Sequence, residues 1–370
     1  MTNNNVKVLH IITDSNIGGA GHHLLALLKD RKNVKVALPI GALLIPSLEK
    51  LAIPYIELPH LAEKSFSLKA LKVLLNEMKN FKPDIVHTHA ALSGRVAARL
   101  YRNCKIVHTR HSVFEPKTWQ TRFPMRQLLG FLNNSLSDAI ITVSPAARDN
   151  LLVLGVKEKK MHVIFNGMPK IQSFPDEKII TLKEKYNIPY SNFIVVQIAR
   201  LTEVKGHEDV LNAFKNTEDV TVLMAGDGDL RPLLEKRIET ENIQNIKLLG
   251  FINEVEEILN IANVQISASF GTEATSLALI QGMSLGLPSV VTNFGGNPYV
   301  IKHMENGLVV PTQTPSALRE AVQKIQNDKN LQALMEISAI ENYESTFTVE
   351  KMVESTENLY KLILGKERNL

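Results

Sequence analysis

Cysteine is almost missing from this sequence. Cys104 is the single cysteine in 370 residues, which excludes an intrachain disulfide framework and a thiolate metal site and suits a reducing cytosol. No apolar run is long enough to cross a bilayer, and the first residues, MTNNNVKVLHII, have neither the basic segment nor the cleavage site of a signal peptide. The sequence therefore predicts a cytoplasmic protein whose first apolar run is a β-strand.

The composition is that of an ordinary soluble globular protein, with 44% hydrophobic and 22% charged residues. A chain of 370 residues is long for one hydrophobic core, so two domains are expected. The net charge is only +4, and no RNA- or DNA-binding motif accompanies it, so nucleic acid is not an expected partner.

Positive charge is nevertheless concentrated in residues 95–126. Eight lysines and arginines lie there against one acid, Glu115, and Phe114, Trp119 and Phe123 are interleaved with them. The segment is either a solvated basic face or a surface that attracts an anionic membrane or a phosphate-bearing acceptor. The sequence leaves both interpretations open.

Short apolar runs alternate with helical patterns along the chain. This rhythm predicts an α/β fold with parallel sheets covered by helices on both faces. The predicted strands are Val6–Ile12, Val34–Leu38, Tyr55–Leu58, Asp84–His87, Lys105–Thr109, Ala139–Val143, His162–Ile164, Phe193–Ala199, Val220–Ala225, Ile246–Leu249, Val264–Ile266, Ser289–Thr292 and Gly307–Val310. A polar, proline-punctuated stretch from Asn166 to about Tyr190 is the predicted linker, and the crevice between two such domains is the predicted ligand site.

The glycine-rich loop after the first strand does not fit a dinucleotide fingerprint. Leu24 occupies the third glycine position, and the second strand ends in Pro39 with no acid to hold a ribose. A nicotinamide-dependent dehydrogenase is therefore not expected.

Two predicted strand ends carry histidine pairs, His87 with His89 and His108 with His111. Ligands of parallel sheets bind beyond the carboxyl ends of the strands, so His89 and His111 are expected to face the crevice. No third ligand follows at a convincing spacing, so no metal site is predicted.

The second strand series carries candidate phosphate ligands. Arg200 ends its first strand and Lys205 precedes a helix, and these two cations fit a diphosphate, with ordinary surface charge as the alternative. Farther along, Asp229 is expected to cap a helix. The ring of Phe251, which follows another strand end, is placed to flank a base.

The segment SASFGTEATSLALIQGMSLGLPSVV at residues 267–291 reads as a strand end, a loop of small residues and a helix from about Ser276. Free N–H groups at a helix start attract anions. Glu273 in that loop is better suited to accept hydrogen bonds from sugar hydroxyls, unless it is an ordinary surface glutamate that favours the helix dipole.

Seven motifs, taken in order, make the sequence resemble a glycosyltransferase of family 4. They are the glycine-rich loop at residues 18–21, HTRHS at 108–112, VSPAARDNL at 143–151, IFNGM at 164–168, ARLTEVKG at 199–206, AGDGDLR at 225–231 and EATSLALIQGMSLGLPSVVT at 273–292. The resemblance covers nearly the whole chain and implies the GT-B fold, two Rossmann-like domains facing a central cleft. It implies an acceptor-binding domain at 1–168, a nucleotide-sugar-binding domain at 169–347, and a C-terminal helix at 348–370 that crosses back to the N-terminal domain.

The resemblance also implies the chemistry. Family 4 enzymes transfer a sugar from a nucleotide donor with retention of configuration, usually without a metal, so no metal and no cofactor are expected. By resemblance, the catalytic residues are His111 near the hydroxymethyl group of the sugar, Arg200 and Lys205 on the diphosphate, and Glu273 on the 3- and 4-hydroxyls. The implied donor-binding residues are Gly18, Gly19, Gly228, Phe251, Ala274, Thr275, Ser276 and Gln281, and those on the acceptor or membrane side are His89, Arg110 and Arg148.

One residue departs from the family pattern. Gln281 stands where the motif has a second glutamate, which usually binds the nucleotide ribose. The expected function is a retaining transfer of a hexose or N-acetylhexosamine from a nucleotide sugar, with UDP favoured, to a hydroxyl of a cell-envelope glycan or lipid-linked acceptor at the inner face of the membrane. The alternatives are a nucleotide-sugar epimerase of the same fold and, because of Gln281, a non-catalytic partner subunit of a transferase.

Overall fold

The computed structural model describes residues 6–29, 31–59, 66–114 and 116–365. Glu115, the acid of the basic segment, lies outside the described residues. Contacts divide the chain into two compact units. Unit 1 is Met1–Gly167 with Val349–Leu370, and unit 2 is Met168–Thr348.

Unit 1 contains a seven-stranded parallel sheet in the order β3-β2-β1-β4-β5-β6-β7. Its strands are β1 Val8–Ile12, β2 Val34–Pro39, β3 Tyr55–Leu58, β4 Ile85–His89, β5 Lys105–Arg110, β6 Ala139–Thr142 and β7 Met161–Val163. Its helices are α1 Gly19–Leu28, α2 Ile45–Lys50, α3 Leu68–Phe81, α4 Leu92–Tyr101, α5 Thr118–Thr121, α6 Met125–Ser135, α7 Pro145–Val153 and, from the C-terminus, α16 Val349–Ile363, with a 3₁₀ turn at Glu158–Lys160.

Both faces of this sheet are buried, as the continuous apolar runs predict. Along β1, Val8 and Ile12 join one hydrophobic cluster, whereas Leu9 and Ile11 join the cluster on the opposite face. Successive side chains of a strand point to opposite faces, so a strand apolar at every position requires helices on both sides.

Helix α16 packs on the β1 face of unit 1 that holds Val8 and Ile12. Met352, Leu359 and Tyr360 belong to the same hydrophobic cluster, and Glu357 forms an ion pair with Arg31. The last helix of the chain is thus part of the core of unit 1.

Unit 2 contains a six-stranded parallel sheet in the order β10-β9-β8-β11-β12-β13. Its strands are β8 Phe193–Ile198, β9 Val220–Ala225, β10 Ile246–Gly250, β11 Val264–Ser267, β12 Ser289–Thr292 and β13 Gly307–Val310. Its helices are α8 Asp176–Lys185, α9 His207–Phe214, α10 Arg231–Thr240, α11 Val255–Ile261, α12 Leu277–Met283, α13 Asn297–Val300, α14 Pro315–Asn327 and α15 Lys329–Thr346, with a 3₁₀ turn at Glu203–Lys205.

The predicted α/β fold is confirmed, since each predicted strand overlaps an observed one and both sheets are parallel throughout the described residues. Helix α8 lies inside the stretch predicted as a linker. No helix in the described ranges combines the length and the apolar character needed to cross a membrane.

Candidate active site

The strand order of unit 2 identifies where its ligand crevice lies. From β8 the sheet runs through β9 to β10 on one side and through β11 to β13 on the other. Parallel α/β sheets bind ligands beyond the carboxyl ends of the strands at such a reversal. The loops after β8 and β11 are therefore expected to form the ligand site of unit 2.

These two loops meet in an ion pair. Lys205 Nζ lies 2.8 Å from Glu273 Oε2 and donates a second hydrogen bond, of 3.0 Å, to the carbonyl oxygen of Thr272. Ser269 Oγ donates to the same carboxylate oxygen at 3.1 Å. The side chains of Lys205 and Glu273 are only 20% and 9% exposed, so Glu273 is not an ordinary surface glutamate.

Close backbone packing holds the loops in this position. Gly206 has a φ of +69°, and a Cβ atom on it would overlap the carbonyl oxygen of Ala268. After β12, the N–H of Gly296 donates to the carbonyl oxygen of Glu273 at 2.8 Å. A Cβ on Gly295 or Gly296 would overlap the backbone of the loop that carries Glu273. The sequence analysis did not identify Gly295 and Gly296 as site residues, although two adjacent glycines after a strand were an available signal.

The other residues expected to bind the donor diphosphate and base lie in the same layer of loops. Arg200 follows β8 and its side chain is exposed. The backbone of Gly228, after β9, packs so closely on Leu201 that a Cβ would overlap the Leu201 carbonyl oxygen. Phe251 follows β10, and its side chain is 74% exposed.

The expected helix cap at Asp229 is wrong. Helix α10 begins at Arg231, its N-cap residue is Leu230, and no side chain caps it. Asp227 is the engaged acid instead: it accepts from the N–H of Gly228 at 2.8 Å and lies 3.3 Å from Arg231 Nη1. With Asp229 as N-cap, Pro232 would stand at the third helical position and offer no N–H to the Asp229 side chain, and the helix begins one residue later than the capping pattern suggests.

Ala274, Thr275, Ser276 and Gln281 are placed as the strand–loop–helix pattern predicts. Ser276 is the N-cap of α12, and its side chain accepts from the N–H of Leu279. Ala274 is buried and Gln281 is half-buried on the following turn of the helix. Ala274, Thr275 and Ser276 thus follow Glu273 directly along the loop, and Gln281 lies on the helix that comes after it.

In unit 1, the structure brings His89 and His111 together. His89 is the last residue of β4, His111 follows β5, and their Nδ1 and Nε2 atoms lie 2.9 Å apart. His10 of β1 extends the chain, because its Nδ1 lies 3.3 Å from His89 Nε2. Burial holds the pKa of all three imidazoles well below the usual value, so they are neutral at pH 7.

Arg110 and Arg148, the two arginines predicted to lie on the acceptor or membrane side, each contact a residue close by in the sequence. Arg110, whose pKa is lowered by burial, stacks its guanidinium carbon 5.4 Å from the ring centre of Phe114. Arg148 lies on α7 and forms an ion pair with Asp149 at 2.9 Å. Gly18 is the N-cap residue of α1 and Gly19 is its first residue, so the backbone there is a helix start.

Two family models match the chain, one in each unit. The one described as Glycosyltransferase Family 4 matches residues 17–169, and the one described as Glycosyl transferases group 1 matches residues 178–341. Together they account for most of the sequence. The chain belongs to glycosyltransferase family 4. It is therefore a hexosyltransferase, with the two-sheet GT-B architecture.

Two enzymes of known name are among the relatives of this family 4 transferase. It is 28% identical over 309 residues to the UDP-Gal:alpha-D-GlcNAc-diphosphoundecaprenol alpha-1,3-galactosyltransferase of Escherichia coli, covering 79% of each chain. It is 26% identical over 295 residues to the N-acetyl-alpha-D-glucosaminyl L-malate synthase of Bacillus anthracis, covering 77% of this chain and 76% of that one.

A solved structure shares the fold. The Anabaena protein HepE in complex with UDP superposes with a TM-score of 0.87 at 19% identity, over 96% of this chain and 100% of that one. At this identity the likeness establishes the fold alone.

Proposed function

We propose that this family 4 transferase moves a hexose or N-acetylhexosamine from a UDP-sugar to a hydroxyl of a cell-envelope glycan or lipid-linked acceptor, with retention of configuration. The observation that carries the proposal is the buried pair of Lys205 and Glu273 at the strand reversal of unit 2, with Arg200 exposed at the end of β8.

Lys205 retains a donor for the diphosphate. An ammonium group has three N–H bonds, and the contacts to Glu273 and Thr272 use two of them. The third can bind a phosphate oxygen. Arg200, which adds a planar guanidinium nearby in the chain, suits the bidentate recognition of phosphate.

Glu273 is prepared to bind the sugar. Its Oε2 accepts from Lys205 and Ser269, while its Oε1 has no partner within the described part of the chain. An ionised carboxylate accepts strong hydrogen bonds from hydroxyls. The contacts with Lys205 and Ser269 fix the position of this carboxylate before the donor arrives.

The chemistry this arrangement favours is electrostatic. As the bond between the sugar C1 and the phosphate oxygen stretches, negative charge develops on the diphosphate, and Arg200 and Lys205 stabilise it. The acceptor hydroxyl attacks from the face that the diphosphate leaves, and a phosphate oxygen takes its proton. Glu273 binds the sugar hydroxyls and is not proposed as a nucleophile.

Two known proteins support the choice of donor and acceptor. HepE was solved with UDP, and the name of the E. coli relative specifies UDP-galactose and a diphosphoundecaprenol-linked acceptor. A lipid-linked acceptor requires an enzyme that reaches the membrane surface.

Unit 1 carries a surface suited to that contact. Trp119 and Phe123 are 54% and 81% exposed, and on α6 the side chains of Leu128, Phe131 and Leu132 are 49%, 68% and 42% exposed. Positions three and four apart share one face of a helix. Exposed basic side chains accompany this apolar face: Lys117, Arg122 and Arg126. Apolar insertion combined with basic attraction is how a protein lies on an anionic bilayer.

A donor screen tests the transferase proposal. UDP-, GDP-, ADP- and dTDP-sugars are compared by thermal shift and by slow hydrolysis. We expect one UDP-sugar to raise the melting temperature and to be hydrolysed, and both effects to disappear in Lys205→Ala and Glu273→Ala. Lys215→Ala is the matched control, since it breaks a different lysine–glutamate pair, with Glu241 at 2.6 Å. Conversion of the sugar nucleotide to its epimer without acceptor, or no stabilisation by any donor, would contradict the proposal.

Vesicle sedimentation tests the membrane contact. We expect binding to vesicles with anionic lipid at low salt, weaker binding at high salt, and little binding to neutral vesicles. Phe123→Ser with Phe131→Ser should abolish it. Leu334→Ser with Ile337→Ser is the control, because these side chains of unit 2 are 63% and 57% exposed. Equal losses of vesicle binding in both double variants would show that the exposed apolar face of α6 is not the membrane-binding surface.

A further inference from the structure

Unit 1 contains two half-buried arginines, Arg95 and Arg110, that have no carboxylate partner in the described part of the chain. Arg95 lies in the first turn of α4, and Arg110 is the last residue of β5. Neither takes part in an ion pair with a described residue. Removal of a charge from water is costly unless an opposite charge accompanies it. This pair of cations is therefore a candidate anion site.

The fold brings the two arginines to the same face and the same edge of the sheet. Alternate residues of a strand share a face, so Arg110 lies on the face of β5 that holds Ile106. Helix α4 packs on that face, because its Ala98 belongs to the same hydrophobic cluster as Ile106. The helix begins just after the carboxyl end of β4, the neighbour of β5. Its first turn, with Arg95, therefore lies at the edge of the sheet where Arg110 ends β5.

Both guanidinium groups have donors to spare. Each guanidinium has five N–H bonds. Arg95 Nη1 donates one of them to Asn133 Oδ1 at 2.9 Å, and Arg110 stacks on the ring of Phe114. The Nε atoms of both arginines are buried and have no hydrogen-bond partner among the described residues. Buried N–H groups without a partner are uncommon in folded proteins, and an anion would satisfy them.

The electrostatics agree with this geometry. Burial and the positive charge of Arg110 lower the pKa of Arg95 to about 10, and burial lowers the pKa of Arg110. Both side chains are still charged at neutral pH. The pKa of His108 is held well below its usual value by burial and by these two arginines, so its imidazole is neutral and supplies no charge. Two positive charges therefore lie together without a negative charge from a described residue.

We propose that Arg95 and Arg110 bind a phosphate group of the acceptor. The proposal rests on the proposed function, because it names the chemical class of the acceptor in that reaction. A phosphate monoester carries a charge of about −1.5 to −2 at pH 7, which balances two guanidinium groups, whereas one carboxylate would balance only one. The planar fork of each arginine suits two oxygens of a phosphate.

The position of Asn133 connects this site to the proposed membrane surface. Asn133, which accepts from Arg95, belongs to α6, the helix whose exposed apolar face is proposed to lie on the bilayer. In a lipid-linked acceptor, phosphate joins the sugar to the lipid and so lies at the membrane surface. The headgroup of a membrane phospholipid would offer the same chemistry, and the experiment must separate the two sources.

Calorimetry on the full-length protein tests the phosphate site. Excess UDP is present throughout, so that the donor site is filled and does not take up the probes. We expect inorganic pyrophosphate and geranyl diphosphate to bind at one site per chain and geraniol not to bind. Arg95→Gln and Arg110→Gln should each weaken binding at least about tenfold, since each removes charged hydrogen bonds. Arg102→Gln is the matched control, because Arg102 is an exposed arginine at the other end of α4.

Vesicles of phosphatidylglycerol separate the two sources of phosphate. Arg95→Gln and Arg110→Gln should sediment with them as wild type does. Loss of vesicle binding with unchanged binding of geranyl diphosphate would show that the ligand is a phospholipid headgroup and would overturn the proposal.

Two further measurements do not depend on how well the arginine variants fold. Pyrophosphate should raise the melting temperature of the wild type in excess UDP, whereas sodium chloride at equal ionic strength should not. Glu115, the nearest acid in the sequence, lies outside the described residues, so Glu115→Gln is also titrated. Pyrophosphate binding that requires Glu115→Gln would mean that the chain fills the site itself. If a UDP-sugar stabilises the wild type but neither diphosphate binds, the transferase proposal stands and the phosphate site is wrong.

Discussion

Lys205 and Glu273 stand 68 residues apart in the sequence and 2.8 Å apart in the fold. Each is presented by a loop that follows one of the two central strands of unit 2, β8 and β11. An ion pair with such low exposure stabilises the protein only while both partners are present, because removal of one leaves the other charge buried and unpaired.

A double-mutant cycle measures this dependence. Lys205→Met and Glu273→Met should each lower the free energy of unfolding by about 3 kcal/mol, and the double variant by less than the sum. We expect a coupling energy of about 1–3 kcal/mol from urea unfolding. The same cycle on Lys185 and Glu257, whose lysine side chain is 53% exposed, should give a much smaller coupling. Additive losses at Lys205 and Glu273 would show that the pair does not act as a unit.

The glycines after β12 control the position of Glu273. Gly296 has ordinary helical dihedral angles, with φ −81° and ψ −12°, so an alanine there causes no backbone strain. Its Cβ would instead collide with the carbonyl oxygen of Ala274. The variant should displace the loop that carries Glu273 and reduce donor binding at least tenfold. Gly41→Ala is the control, since Gly41 has a φ of +69° and open space around it and should lose only about 1 kcal/mol of stability. Full donor binding by Gly296→Ala would mean that the loop can move aside.

Local sequence patterns were sufficient for the sheets. Runs such as Val34–Leu38 and Val220–Ala225 are apolar at nearly every position, and only a strand buried on both faces explains that pattern. The confirmed family membership likewise rested on motifs that are contiguous in the sequence, such as residues 199–206 and 273–292.

The close approach of the rings of His23, His89 and His111 could not be predicted in the same way. Along the sequence, no third candidate ligand lies at a metal-site spacing from His87 and His89. In the fold, His23 lies on α1, and His111 directly follows β5, the strand next to β4. Their convergence depends on strand order and on the position of a helix above the sheet, neither of which is a local property. The same limit applies to Gly296, whose neighbour Ala274 lies on another loop.

His207 makes the stability of unit 2 depend on pH. It is fully buried at the start of α9, and burial lowers its pKa from 6.5 to about 4. Between these two values the unfolded chain binds more protons than the folded one, so stability falls as the pH drops from 6.5 towards 4. The loss should reach about 3 kcal/mol near pH 4, at roughly 1.4 kcal/mol for each pKa unit.

Urea unfolding of wild type and His207→Gln at pH 8, 6, 5 and 4.5 checks this prediction. The variant should differ from wild type by a constant amount above pH 6.5 and should lose less stability than wild type below it. The buried histidines of unit 1 also make the protein less stable in acid. The test of His207 is therefore the difference between wild type and variant in the slope of the unfolding free energy against pH, not the slope of either protein alone. Parallel slopes in the two proteins would contradict the assignment to His207.

Gln281 offers the most direct test of how the nucleotide is held. It lies on α12, eight residues after Glu273, where the family motif has a glutamate. If the side chain contacts the ribose of the donor, Gln281→Glu replaces a neutral acceptor with a charged one, and hydrogen bonds to charged groups are stronger by about 1 kcal/mol. The KM for the donor should fall about fivefold with kcat unchanged, and Gln281→Ala should raise it. A ribose contact also predicts that the difference between Gln281→Glu and wild type disappears for a donor lacking the ribose hydroxyls. If all three proteins share one KM, α12 does not reach the ribose, and the glutamine is neutral to donor binding.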